Sequence, residues 1–202
     1  RLQLNKKNPD HDLEELYFQF GRYLLISSSR EGGLPANLQG IWCNEQVPAW
    51  RSDYHLNINM QMNYWPAGPC NLSECQKPLV QYTHSLIEPG KLTAKAYANA
   101  DKGWSPHLSS NIWGSTTPNS GKDRPRYWAY FPLGGSWLAT HAWEQYSFDQ
   151  DKNYLKQVSW PVLAGSADYI CELMYKLPSG EFSSTPSWSP EHGAISLGAT
   201  CD

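Results

Sequence analysis

From Trp50 to Trp65 the chain places neutral hydrogen-bonding groups among aromatic rings, reading Ser52-Asp53-Tyr54-His55-Leu56-Asn57-Ile58-Asn59-Met60-Gln61-Met62-Asn63 before Tyr64 and Trp65. His55, Asn57, Asn59 and Gln61 alternate with Leu56, Ile58, Met60 and Met62. An extended segment would carry those polar groups along one edge. Amides both donate to and accept from hydroxyls, and flat rings cover the apolar C–H faces of a pyranose. The pattern therefore suits a site for sugar. It also suits a half-buried strand with a polar outer face, which is what alternation predicts on its own.

The composition points the same way. There are 10 Trp and 12 Tyr but only 5 Phe. Buried Trp and Tyr must find partners for their polar atoms, so the excess fits a cleft that meets a polar ligand with apolar faces. The other reading is an aromatic-rich helical core. The chain's 202 residues are enough for one sizeable core. Lys and Arg number 16 against 19 Asp and Glu, a formal charge of −3. That leaves no electrostatic footprint for nucleic acid or an anionic membrane. No apolar run reaches the ~18 residues of a membrane span, so no membrane insertion is expected. The five cysteines contain no Cys-x-x-Cys pair, and there is no His-Glu-x-x-His run. No metal and no cofactor is expected. Cys70 and Cys75 are close enough to pair, but nothing requires it. Asn71-Leu72-Ser73 is a glycosylation sequon.

Helices joined by long, decorated loops must hold these residues. The spacing of Leu13, Leu16, Tyr17, Phe20 and Leu24 predicts an amphipathic helix over Leu13 to Ser29, with Asp12 as its cap and Glu15 completing a capping box. Leu34 to Trp50 reads as irregular. Further helices are expected over Glu74 to Leu86, Leu92 to Ala100, Trp137 to Tyr146, and Val158 or Trp160 to Tyr175. Gly103 to Phe131 reads as a long loop rich in aromatics, among them Trp113. A loop of that length is uncommon unless it is functional or disordered, and disordered segments are poor in aromatics. Ser183 to Gly193 is a second polar, aromatic loop. The sum suggests an all-α toroid with its site at one rim.

Several motifs, in order, resemble glycoside hydrolase family 95, which contains inverting 1,2-α-L-fucosidases and some α-L-galactosidases. They are Gly21-Arg22-Tyr23-Leu24-Leu25-Ile26-Ser27-Ser28-Ser29, Leu34-Pro35-Ala36-Asn37-Leu38-Gln39-Gly40-Ile41-Trp42, the Ser52–Asn59 segment, and Met62-Asn63-Tyr64-Trp65-Pro66-Ala67. Asn111-Ile112-Trp113-Gly114, Gly134-Gly135-Ser136-Trp137-Leu138 and Pro186-Ser187-Trp188-Ser189-Pro190-Glu191 complete the set. The resemblance implies that residues 1–202 are part of an (α/α)6 barrel. The family's N-terminal β domain and the second half of the barrel would lie outside this chain. It implies a fucosylated glycan as partner and a secreted, periplasmic or cell-surface location. Trp188 stands where the family suggests a small polar residue, and Gly68 where it suggests Glu.

By the same resemblance Glu191 is the general acid, and Asn57 and Asn59 belong to the base side. Asn59 would contact the attacking water, and His55 would lie against the sugar near C5. Trp113 and Trp188 are the candidate ring platforms. An inverting glycosidase needs an acid and a base roughly 6.5–9.5 Å apart, with water between. Partial burial by Trp188 would keep Glu191 protonated; apart from the family, Glu191 also reads as a helix-start carboxylate. An amide has no proton to titrate near neutral pH. Asn59 can only orient water, and a carboxylate must polarise it; the family supplies one from later in the barrel. Without the resemblance, Asn57 and Asn59 would be buried amides that tie loops together, and His55 a core histidine. Asp53 reads as a surface or capping carboxylate, and His107 and His192 as loop histidines open to solvent or touching sugar. The expected activity is release of terminal α-1,2-linked L-fucose. The alternatives are α-L-galactosidase action, a carbohydrate-binding fragment without turnover, or a purely structural helical domain.

Overall fold

The computed structural model describes residues 1–119, 126–190, 192–196 and 198. It is mainly helical, with short strands paired in twos. After a helical turn, α1 (Leu2–Asn5), comes α2 (His11–Ser28). Asp10 caps α2, its carboxylate accepting from the Leu13 N–H at 3.1 Å. The helix thus begins two residues before the expected boundary, and the Asp12 capping box does not form. The predicted apolar stripe is real but largely uncovered. Leu16, Tyr17, Phe20 and Tyr23 are exposed, whereas Leu25 and Ser28 are buried. Periodicity tells which face of a helix seeks burial; it does not supply the surface that covers it.

The largest correction concerns Ser52 to Trp65. Strand β1 (Tyr54–His55) covers only two residues, and from Asn59 the chain turns into helix α3 (Asn59–Tyr64). The alternation of polar and apolar residues is broken at that point. Met60, Gln61 and Tyr64 face inward while Asn59, Met62 and Asn63 face out. Gln61 is fully buried and donates to the Leu56 carbonyl at 2.8 Å, so it joins the core rather than the polar edge. Tertiary packing has overridden a local period-2 pattern.

Helices α4 (Lys77–Ser85), α5 (Ile87–Ala98), α6 (Gly134–Asp149) and α8 (Trp160–Leu173) form the body. A single turn, α7 (Lys152–Tyr154), runs through a π-helical stretch, Leu155–Ser159, into α8. These helices appear about where the sequence expects them, with ends shifted by several residues. Helix α6 packs on α8 and α4. Leu56, Leu79, Leu86, Leu138 and Val162 are almost fully buried together with Trp104, whose indole donates to the Val162 carbonyl at 3.2 Å. Gly103 makes this approach possible. Its φ is +76°, and a Cβ there would run into the Tyr169 nitrogen and the Gly165 carbonyl of α8.

The long loop after α5 is pinned rather than free. Strand β2 (Ser109–Ser110) pairs antiparallel with β1, setting Tyr54 opposite Ser110 and His55 opposite Ser109. His107, expected in solvent, is fully buried between the rings of Tyr97 and Tyr130, and its Nδ1 accepts from the Phe131 N–H at 3.0 Å. Beyond α8 come β3 (Met174–Lys176) and β4 (Phe182–Ser184), an antiparallel pair joined by a turn through Pro178-Ser179-Gly180. Strands β5 (Ser187–Ser189) and β6 (His192–Ser196) follow, where a loop was expected. Cys43, Cys70, Cys75 and Cys171 are free thiols. No helix among the described residues is long and apolar enough to cross a membrane.

Candidate functional site

Two hydrogen-bonded connections build the site from distant parts of the chain. In the first, β1 lies along β2, and Leu56 continues the contact by donating its N–H to the Leu108 carbonyl at 2.7 Å. Tyr82 of α4 secures the far side, donating to the Asn111 carbonyl at 2.7 Å, with Ser110 also in reach. In the second, the Asn57 side chain reaches across 133 residues of sequence and donates to the Pro190 carbonyl at 3.5 Å. Residues far apart in sequence are thus brought together. That bond is long for its type and contributes placement more than energy.

Each candidate has its own environment. His55 is half-buried, its Nδ1 3.5 Å from Oδ1 of Asp53. Asp53 is not a surface or capping group. Its side chain is turned inward, and burial raises its pKa above the ordinary carboxylate range against the opposing pull of His55 and Arg51. Asn59 is the first residue of α3 and is exposed, so its amide is open to a ligand or water. Trp113 is 87% exposed and presents nearly its whole indole. Its loop is held by the Asn111 side chain, which accepts from the Trp113 N–H at 2.9 Å. Trp188 is the opposite case. It is 3% exposed, with its ring edge-on to Tyr127 at 5.9 Å. A platform for sugar must show a face, and Trp188, the central residue of β5, is buried and shows none. Glu191 and the side chain of His192 lie outside the described residues.

The loop Leu34–Trp42 is fastened to α3 by a chain of hydrogen bonds whose direction is fixed. The Ala36 N–H donates to the Tyr64 hydroxyl at 2.8 Å. The Ser29 hydroxyl donates to the Cys75 carbonyl at 2.8 Å, so Tyr64 must be the donor in its 2.7 Å contact with Ser29. All three polar side-chain and backbone groups are buried. Beside this junction is a cleft of about 310 Å³, bounded by Leu24, Gln39, Trp42, Asn63 and Pro66 among others. None of the six candidate residues lines it.

The order of motifs, the amides of residues 57 and 59 and the link to the Pro190 segment all belong to one arrangement. The sequence model described as the glycosyl hydrolase family 95 catalytic domain matches residues 1–202. The chain belongs to glycosyl hydrolase family 95. Among curated relatives, it is 46% identical over 192 residues to "Alpha-L-fucosidase 2" of Arabidopsis thaliana, covering 95% of this chain and 22% of that protein. It is 38% identical over 188 residues to "Probable alpha-fucosidase A" of Aspergillus niger, covering 91% of this chain and 23% of that protein. A "Probable alpha-fucosidase A" of Aspergillus oryzae is 41% identical over 112 residues, covering 55% of this chain and 16% of that protein. The chain therefore spans less than a quarter of the length of the curated relatives it matches.

In this family 95 chain the departure at Gly68 has a visible counterpart. The Phe148 ring of α6 occupies the space that a side chain at 68 would need, with its Cγ 2.8 Å from where a Cβ would stand. The Asp53–His55 contact departs from the reading of Asp53 as a surface or capping carboxylate. Its alternation with His55 across Tyr54 was the available signal, since residues two apart on a strand share a face.

Proposed function

We propose that this chain forms part of the catalytic domain of an inverting exo-α-L-fucosidase that releases terminal α-1,2-linked L-fucose from glycans. The observation that carries the reading is the Asn57–Pro190 hydrogen bond, which brings the His-x-Asn-x-Asn segment to the residue just before Glu191. The names of the curated relatives support the sugar. In this reading Glu191 protonates the leaving oxygen, and the amide oxygen of Asn59 orients water behind the ring. Asn57 holds the Pro190 segment and so fixes the spacing between the two sides. His55 lies against the sugar, and Trp113 offers an open ring to its apolar face. Trp188 contributes by excluding water from its side of β5. An inverting reaction suits this division, because the amide can position water but cannot form a glycosyl ester.

The wider architecture is part of the same proposal. The helices α2 to α8 would belong to a single (α/α)6 toroid, and the protein would act on glycans outside the cytoplasm, in a secreted, periplasmic or surface-bound form. The test is made in the full-length enzyme on 2′-fucosyllactose. Glu191→Gln should lower kcat by at least ~10²-fold, with a smaller loss on substrates carrying a good leaving group. Asn59→Gly should lower kcat with little change in KM, the pattern of an interaction made in the transition state. Anomeric NMR on fresh product should show inverted configuration. Retained configuration, or wild-type kcat in Asn59→Gly, would overturn the mechanism. Preferential release of L-galactose would move the substrate to the related sugar, which differs by a hydroxyl at C6.

A further inference from the structure

Asp53 reaches the site along a path that its backbone resists. Trp50, Arg51 and Ser52 have φ values of 49°, 60° and 49° in succession. Left-handed backbone is unfavourable for any residue with a Cβ, and three such residues in a row, none of them glycine, persist only where the surroundings over-determine them. Here the turn is closed by the Arg51 N–H on the Pro48 carbonyl at 3.0 Å and the Asp53 N–H on the Trp50 carbonyl at 3.4 Å. The Asp53 carbonyl in turn accepts from the Leu38 N–H at 3.3 Å, tying the turn to the Leu34–Trp42 loop. The outcome is a carboxylate aimed at one ring nitrogen. Oδ1 of Asp53 is buried, accepts no hydrogen bond, and stands 3.5 Å from Nδ1 of His55.

We propose that Asp53 is a positioning residue for the sugar site: it receives the Nδ1–H of His55 and so fixes the ring as the tautomer whose Nε2 accepts a hydrogen bond from a sugar hydroxyl. This rests on the reading of His55 as a sugar contact. A carboxylate can only accept, so the proton between the two groups lies on Nδ1. In the neutral ring the other nitrogen then has only a lone pair to offer. The contact is longer than an ordinary N–H···O bond of ~2.9 Å. Such contacts are often long in empty sites and tighten when substrate binds. The site then demands a hydroxyl at that point of the sugar, and a deoxy analogue leaves the nitrogen buried and unpaired.

The test uses the full-length enzyme and the variants Asp53→Asn, His55→Ala and the double variant. Asn keeps the shape of Asp, but its amide can turn an N–H toward Nδ1 and drive the ring proton to Nε2. Asp53→Asn should lower kcat/KM by at least ~10-fold, as for other histidines oriented by a carboxylate. In the His55→Ala background the same change should cost less than ~2-fold, because the effect runs through the ring. Nitrogen-15 spectra of labelled histidine, taken where the ring is neutral, should show His55 protonated on Nδ1 in the wild type and on Nε2 in Asp53→Asn. Wild-type kcat/KM in Asp53→Asn, or equal losses in both backgrounds, would overturn the proposal. So would a wild-type ring protonated on Nε2, a measurement that needs no variant to fold. If His55→Ala leaves kcat and KM unchanged, the sugar-contact reading fails and the proposed role fails with it. The wild-type spectrum would still report whether Asp53 and His55 are paired.

Discussion

Replacing Tyr64 by Phe removes one oxygen from the junction between α3 and the Leu34–Trp42 loop. The hydroxyl accepts from the Ala36 N–H and donates to Ser29, and both groups are buried. A net hydrogen bond contributes about 1 kcal/mol, and a buried donor left without a partner costs about 1–3 kcal/mol. Ser29 retains its bond to the Cys75 carbonyl, so its share of the loss is small. The Ala36 N–H has no alternative acceptor in its 2.8 Å contact, so it dominates. The expected cost is about 2–3 kcal/mol, localised at the loop. Hydrogen exchange reads it directly: in Tyr64→Phe the Ala36 amide should exchange at least ~30-fold faster, since each 1.4 kcal/mol is tenfold. Ser29→Ala is the control and should change Ala36 exchange less, because it leaves the Ala36 bond to the Tyr64 hydroxyl in place. An unchanged Ala36 exchange rate in Tyr64→Phe would refute the directed chain of bonds. So would a larger change in Ala36 exchange from Ser29→Ala than from Tyr64→Phe.

Acid should destabilise the fold through His107. Burial lowers its pKa from 6.5 to about 4. The unfolded chain therefore binds a proton first. The stabilisation is complete above pH ~6.5 and is lost as pH falls toward ~4, by about 3 kcal/mol in all. Urea midpoints measured across that range should fall more steeply in the wild type than in His107→Asn, and equal slopes would remove His107 as the cause. Gly103→Ala should cost about 3 kcal/mol or more, because a left-handed residue would press its Cβ into the backbone of α8; a wild-type denaturation midpoint would show that α8 can retreat. Residues 1–202 expressed alone should associate through Leu16, Tyr17, Phe20 and Tyr23, whose apolar surfaces are uncovered. A monodisperse monomer with a sharp melt would show that this face needs no cover.

The residue types of the site were legible in the sequence, because chemistry is carried by side chains that local order displays. His55, Asn57 and Asn59 stand out as neutral hydrogen-bonding groups among aromatics, and the ordered motifs led to the family that residues 1–202 match. The helical body was legible as well, since each of its helices buries a local stripe of its own. The three-dimensional partners were not. The break of the polar alternation into β1 and α3 follows from the burial of Tyr64 against Ser29 and the packing of α3 on α6, both distant in sequence. The inward turn of Asp53 depends on a left-handed run that no propensity favours. Trp113 and Trp188 are the same residue type in segments that both read as polar, aromatic loops, yet one is 87% exposed and the other, in β5, 3%. Sequence determined which groups are present and which faces are apolar. Tertiary structure decided which of them meet, because burial and hydrogen-bond partners are set by contacts such as Asn57 with Pro190, which local sequence cannot contain.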